Sequence, residues 1–263
     1  MSTTPPFWAD AALFLDVDGT LLEFAPRPEA VVVPPGLRRL LLDLAAALDG
    51  ALALVSGRSL DSIDALFDLP QLAAAGLHGL QRRLPGRAVE VAVEPTVSSA
   101  LERLRAALRT LTDAHPGVRI EDKHHALAVH YRAAPTAGAA VEARLREWLA
   151  ALDRSGELGL LHGNHVVEIK PAAVNKGTAV EHFMRAPPFA GRRPVFVGDD
   201  VTDEDGIRAA QALGGVGVKV GDAPSAARCR LPDPAAVRAW LGAYREFLYS
   251  GPARRTPPQA NRR

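Results

Sequence analysis

ALFLDVDGT, residues 12–20, is a four-residue apolar run that stops on two aspartates separated by a valine, then a glycine and a threonine. Four apolar residues in a row, closed by turn-forming ones, read as a buried strand followed by a turn. The same punctuation returns on either side of a helix. Leu37, Leu40, Leu41, Leu44 and Leu48 fall at helical spacing, and residues 51–55 (ALALV) form a second apolar run that ends in SGRS. Ser59 is placed to N-cap a helix over 60–67, and residues 71–77 lead into a third short strand with GLHG at its end. Far along the chain the rhythm resumes: a helix from Lys176, a strand over 194–197 ending in GDD, a helix over 204–213 and a strand over 215–218. Strands alternating with helices predict an α/β fold with a parallel, Rossmann-like sheet.

The middle of the chain breaks this rhythm. An amphipathic helix over 97–112 precedes strands at 118–121 and 126–131; a helix over 139–152 precedes strands at 158–161 and 165–169. This αββ unit, made twice with hairpins in place of crossovers, predicts a small α+β domain inserted into the core. The expected boundaries are 9–96 and 170–248 for the catalytic core, 97–169 for the insertion, and 249–263 for a disordered tail that is polar and Pro-rich.

Composition narrows the function classes. A formal net charge of +1 argues against a nucleic-acid partner. No apolar stretch approaches the roughly 18 residues of a membrane span, and the N-terminus lacks the pattern of a signal peptide. Cys229 is the only cysteine, so no internal disulfide forms. A soluble cytoplasmic protein is expected, with its oligomeric state open and a monomer one option. Among 31 basic residues only Lys123, Lys170, Lys176 and Lys219 are lysine. A lysine kept where arginine is the rule can mark a site that wants a compact point charge.

Three predicted core strands end in polar clusters: Asp16-Val17-Asp18-Gly19-Thr20, Ser56-Gly57-Arg58 and Gly198-Asp199-Asp200. Ligands of open parallel sheets bind beyond the carboxyl ends of the strands. Taken singly, each cluster reads as a turn or a cap. Taken together, Asp16, Asp18, Asp199 and Asp203 at one rim would repel each other without a cation. A few hard oxygen donors, with room for water and phosphate, suit Mg2+.

The DVDGT run, Ser56, Lys176 and the GDDVTD run at 198–203 resemble, in order and spacing, the four motifs of haloacid dehalogenase-like phosphatases. The inserted αββ repeat resembles the cap of one branch of that superfamily. The stretches GLHG (76–79), EDK (121–123), HYR (130–132), GNHVVEIKP (163–171), NKG (175–177) and GDDVTDED (198–205) resemble the trehalose-6-phosphate phosphatases, over about residues 13–220. That resemblance implies hydrolysis of trehalose 6-phosphate, the final step of trehalose synthesis, through a phospho-aspartate. It implies Asp16 as nucleophile, Asp18 as general acid and base, and Ser56 and Lys176 as phosphoryl-binding catalytic residues. Mg2+ would be held by Asp16, the main-chain carbonyl of Asp18, and Asp199, with Asp203 orienting Lys176 or a metal-bound water. Asp16, Val17, Asp18 and Arg58 would meet substrate from the core. Glu121, Lys123, Arg132, Asn164 and Glu168 would meet the sugar from the cap; Asn164 stands where the family often has lysine. Other sugar phosphatases of the same branch, acting on sucrose phosphate or mannosylglycerate phosphate, and a non-catalytic regulatory module are the alternatives. The histidines at 124, 125, 130, 162 and 165 are read as surface or packing residues, and His78 as shaping the core near the cap.

Overall fold

The structure is a computed structural model that describes residues 4–25, 31–92, 95–123, 125–153, 156–163 and 165–251. Strand β1 (Ala11–Leu15) is fully buried and pairs in parallel with two strands from opposite ends of the chain. The elements that follow are α1 (Leu37–Ala47), β2 (Leu52–Val55), α2 (Leu60–Phe67), β3 (Ala73–Gly76), β4 (Gln81–Arg83) and β5 (Glu90–Val91). Then come α3 (Pro95–Ala114), β6 (Arg119–Asp122), β7 (Leu127–His130), α4 (Gly138–Leu152), β8 (Leu158–Gly163) and β9 (Val166–Pro171). The chain closes with α5 (Lys176–Met184), β10 (Arg193–Gly198), α6 (Asp203–Ala212), β11 (Val216–Val220), β12 (Cys229–Leu231) and α7 (Pro234–Ser250).

Among the described residues the larger sheet has eight strands in the order β12-β11-β10-β1-β2-β3-β4-β5. Its first six are parallel; β4 and β5 are antiparallel. Register aligns Phe14 with Phe196 and Phe196 with Gly217, which puts all three on one face. Helices α5 and α6 cover that face. Phe14 stacks 5.3 Å from Phe189 and 6.1 Å from Phe183, and a Cβ on Gly217 would lie 2.5 Å from Ile207 Cγ2. Helices α1 and α7 form a second packed pair. Each large apolar side chain buried this way contributes about 1.5–3 kcal/mol.

The second sheet is antiparallel, β6-β7-β9-β8, and has its own apolar cluster built from α3, α4 and the strands, including Leu104, Leu108, Val129, Leu145, Val167 and Ile169. Several expected limits move. Helix α3 starts at Pro95, and β9 carries Lys170 and Pro171 into the cap sheet. Helix α7 takes in Tyr249 and Ser250, which the sequence reading put in the tail; residues 252–263 lie outside the described residues. The expectation also omits β4, β5, β12 and α7. Strands of two or three residues such as Gln81–Arg83 carry too little apolar pattern to signal themselves. Helix α7 does carry a start signal: Asp233 accepts from Ala236 N–H at 2.8 Å and Pro234 follows it. Among the described residues no helix is long and apolar enough to cross a membrane.

Candidate active site

Strand β1 sits between β10 and β2, where the chain order reverses, so the loops after these three strands converge. The backbone fixes their ends: Asp16 N–H donates to Val197 O at 3.0 Å, and Ser56 N–H donates to Ala75 O at 2.9 Å. Two glycines allow the approach. Gly19 has φ +78, and a Cβ there would lie 2.3 Å from Asp199 Oδ2. A Cβ on Gly198 would lie 2.2 Å from Asp203 Cγ.

Helix α5 delivers the lysine. Asn175 forms a capping box with Thr178, accepting from its N–H at 2.9 Å, which fixes where the helix starts and hence where Lys176 points. Lys176 is 3% exposed and donates to Asp16 Oδ1 at 2.7 Å and Asp203 Oδ1 at 2.6 Å. Asp203 is fully buried, and its other oxygen accepts from Asp200 N–H at 2.9 Å. Thr20 donates to Asp199 Oδ1 at 3.0 Å. Oxygens of Asp16, Asp199 and Asp203 lie within 4.8 Å of one another, and this is the group among the described residues that could hold a metal ion. It contains no histidine.

The charges of this cluster do not balance. One lysine faces three carboxylates. Burial pushes the Asp16 carboxyl well above the usual carboxylate range; Asp203 and Asp199 add to this, and Lys176 opposes it. Burial and Asp203 push Asp199 up to about 6, against the Thr20 hydroxyl and Lys176. Burial pulls Lys176 down, but Asp16 and Asp203 outweigh it and hold the ammonium above the ordinary lysine range. The cluster keeps its one proton-borne cation and has room for another positive charge.

A cleft of about 900 Å3 opens over Asp16, Ser56 and Lys176 and runs to the cap sheet. All four described cap candidates line it: Glu121, Lys123, Arg132 and Glu168. Glu168 is the hub, accepting from Lys123 Nζ at 2.5 Å and lying 3.6 Å from His78 Nε2. Glu121 pairs with His130 at 2.9 Å, so those two residues, read separately in the sequence, act together. Asn164 lies outside the described residues, as does His124.

The structure amends three expectations. Val17 is fully buried in the core and does not line the cleft. Arg58 binds Asp18 in a fork, Nε to Oδ2 and Nη2 to Oδ1, both at 2.7 Å. The Asp18 carboxylate thus stands with Arg58 and apart from the three-aspartate group. His78 does more than shape the fold. It is held in the left-handed region at φ 57, is mostly buried, and bridges toward Glu168 across the junction of core and cap. Burial, then the charges of Lys176, Lys170 and Lys123, hold its pKa well below the ordinary histidine value. Lysine scarcity proves informative: all four lysines bond at or beside the site. Lys123 meets Glu168, Lys176 meets Asp16, Lys170 donates to Val174 O and Lys219 to Asp199 O.

A Rossmann-like sheet whose central strand ends in a buried aspartate held by lysine, roofed by an inserted antiparallel sheet, defines a phosphatase of the haloacid dehalogenase-like superfamily. The trehalose-phosphatase family model matches residues 14–235. The chain is 46% identical to a probable trehalose-phosphate phosphatase of Sinorhizobium fredii (strain NBRC 101917 / NGR234), over 92% of this chain and 89% of that one. It is 39% identical to the trehalose-6-phosphate phosphatase of Escherichia coli (strain K12), with the same shares covered. The C-terminal domain of C. albicans trehalose-6-phosphate phosphatase has the same fold, with a TM-score of 0.77 at 23% identity, covering 91% of this chain and 93% of that one. The chain belongs to the trehalose-phosphatase family.

Proposed function

We propose that this chain hydrolyses trehalose 6-phosphate to trehalose and inorganic phosphate in the cytoplasm, through an aspartyl phosphate on Asp16. The observation that carries the reading is the buried Asp16–Lys176–Asp203 chain at the floor of a cleft whose far wall is Glu121, Lys123, Arg132 and Glu168. The floor suits a phosphoryl group, and the wall offers charged donors and acceptors to a sugar's hydroxyls.

Lys176 engages Asp16 Oδ1, which leaves Oδ2 to attack phosphorus. As the O–P bond to aspartate forms, the bond from phosphorus to the sugar oxygen breaks, and Asp18 gives that oxygen its proton. Asp18 then takes a proton from water as the water oxygen attacks phosphorus; the acyl phosphate breaks, phosphate leaves and Asp16 is regenerated. Before substrate arrives, Arg58 holds the Asp18 carboxylate in both arms. A phosphate dianion competes for the same guanidinium, which releases the Asp18 carboxyl toward the sugar oxygen. Ser56 is 1% exposed at the floor of the cleft and bonds a phosphoryl oxygen.

The donor set fits Mg2+. It is all oxygen, it includes carboxylates of Asp16 and Asp199, and its negative charge exceeds what Lys176 balances. Asp16, Asp199 and the main-chain carbonyl of Asp18 would hold the ion, with Asp203 on Lys176. Bound there, Mg2+ supplies charge neutralisation of the phosphoryl oxygens. Phosphate release from trehalose 6-phosphate, sucrose 6-phosphate and glucose 6-phosphate, each with Mg2+ and with EDTA, tests the reading. Strong preference for the first and loss of activity in EDTA are expected; equal rates on all three would remove the substrate assignment, and full activity in EDTA the metal.

A further inference from the structure

Lys219 has no place in the chemistry above, yet it is among the most completely buried large side chains of the protein, at 2% exposed. It lies on β11 directly across from Gly198 of β10. By strand alternation it shares a face with Gly217, the face on which α6 packs. A lysine head group in such a place is costly unless it is bonded. Its Nζ donates to one atom in particular, the main-chain carbonyl oxygen of Asp199.

The surroundings explain why a cation is kept there. Glu204, in the first turn of α6, is 9% exposed. Its Oε2 accepts from Ala226 N–H at 3.0 Å, and its Oε1 is buried with no hydrogen-bond partner. Burial pushes this carboxyl up, but the bonds from Ala226 and Ser225 and the charges of Lys219 and Arg208 outweigh burial and hold it low. Lys219 therefore sits inside the core, bonded to the carbonyl of the residue whose side chain faces Asp16, and its charge acts on the Glu204 carboxylate. On the cleft side the Asp199 carboxylate is fixed by Thr20 and by contact with Gly19. On the core side its backbone is held by Lys219.

We propose that Lys219 is a positioning residue for the divalent cation: by holding the Asp199 carbonyl from within the core, it fixes the direction of the Asp199 carboxylate and so sets the affinity of the site for Mg2+. The inference rests on the reading of Asp16 and Asp199 as metal ligands. It makes a prediction opposite in sign to that of simple charge. Removing a nearby positive charge tightens cation binding through Coulomb's law, whereas loosening a ligand weakens it.

The test is calorimetric titration of the substrate-free protein with MgCl2, for wild type, Lys219→Met, Lys219→Gln and Asp199→Asn. Wild type is expected to bind one ion and Asp199→Asn none. Lys219→Met is expected to bind at least about tenfold more weakly, within the 10–100-fold range for partners that orient metal ligands. Lys219→Gln, which keeps an N–H donor without the charge, is expected to fall between them. Raising Mg2+ should recover the rate that Lys219→Met loses at low Mg2+. Unchanged or tighter Mg2+ binding in both Lys219 variants overturns the proposal, and so does a drop in melting temperature with unchanged affinity. If Lys219→Met fails to fold, Lys219→Gln against wild type decides alone. Wild type that binds no Mg2+ overturns the metal reading itself, and this inference with it.

Discussion

At the scale of single residues, the site is an uneven charge count: three buried or half-buried carboxylates, Asp16, Asp199 and Asp203, against one lysine. Asp16→Asn removes one of the surplus charges and the attacking oxygen together. Turnover is expected to fall by about four orders of magnitude or more, while the melting temperature of the metal-free protein holds or rises. Loss of activity with an unfolded variant would not support the nucleophile; retained activity in a folded one would exclude it. His78 carries a second prediction. Its folded pKa lies below its unfolded value, so the native state binds fewer protons than the unfolded chain. That stability is whole above about pH 6.5 and drains as pH falls below it, by up to ~1.4 kcal/mol per unit. Urea unfolding of wild type and His78→Gln at pH 7 and 5.5 should show wild type losing more stability than the variant on acidification. Parallel curves would mean that His78 titrates as an ordinary histidine.

At the scale of elements, the site depends on how closely α5 and α6 approach. Gly177 follows Lys176 in the first turn of α5, and a Cβ there would lie 2.7 Å from Asp205 O, a backbone atom that cannot easily yield. Gly to Ala inside a helix ordinarily stabilises by up to about 1 kcal/mol. Here Gly177→Ala is expected to cost about 1–3 kcal/mol through overpacking and to lower activity by moving Lys176; a urea midpoint above wild type would contradict the close packing. These particulars also show what a sequence can and cannot disclose. Asp16, Ser56, Lys176 and the Asp199–Asp203 run were legible because each follows a strongly apolar strand or opens a capped helix, so local pattern alone placed them at one rim. Lys219 was legible only as a scarce residue type. Its meaning depends on the pairing of residue 219 with Gly198, which no local pattern states. The fork of Arg58 on Asp18 and the approach of His78 to Glu168 are likewise contacts between distant segments. The short strands β4 and β12 were missed because three residues hold no readable period.

At the scale of the whole molecule, two sheets divide the labour. The parallel sheet brings Asp16, Ser56 and Lys176 to the cleft, and the inserted domain brings Glu121, Lys123, Arg132 and Glu168 to it. In the proposed reading the floor would meet only the phosphate and the reacting oxygen, so discrimination among sugars would come from the wall. Each charged hydrogen bond lost there costs roughly 1.5–3 kcal/mol, or about one to two powers of ten in kcat/KM. Glu168→Ala is expected to lower kcat/KM for trehalose 6-phosphate by that much and to leave a small aryl phosphate, too short to reach the wall, within a few-fold of wild type. An equal fall for both would make Glu168 a support of the cap, held there by Lys123 and His78. The account as a whole turns on one covalent bond formed while the disaccharide occupies that cleft. Turnover of trehalose 6-phosphate can be stopped in acid, the protein reduced with borohydride, and its peptides read by mass spectrometry. An acyl phosphate on Asp16 becomes homoserine, so the account predicts homoserine at position 16 in wild type and none in Asp16→Asn. Active wild type that yields no homoserine, or yields it at another aspartate, would contradict it.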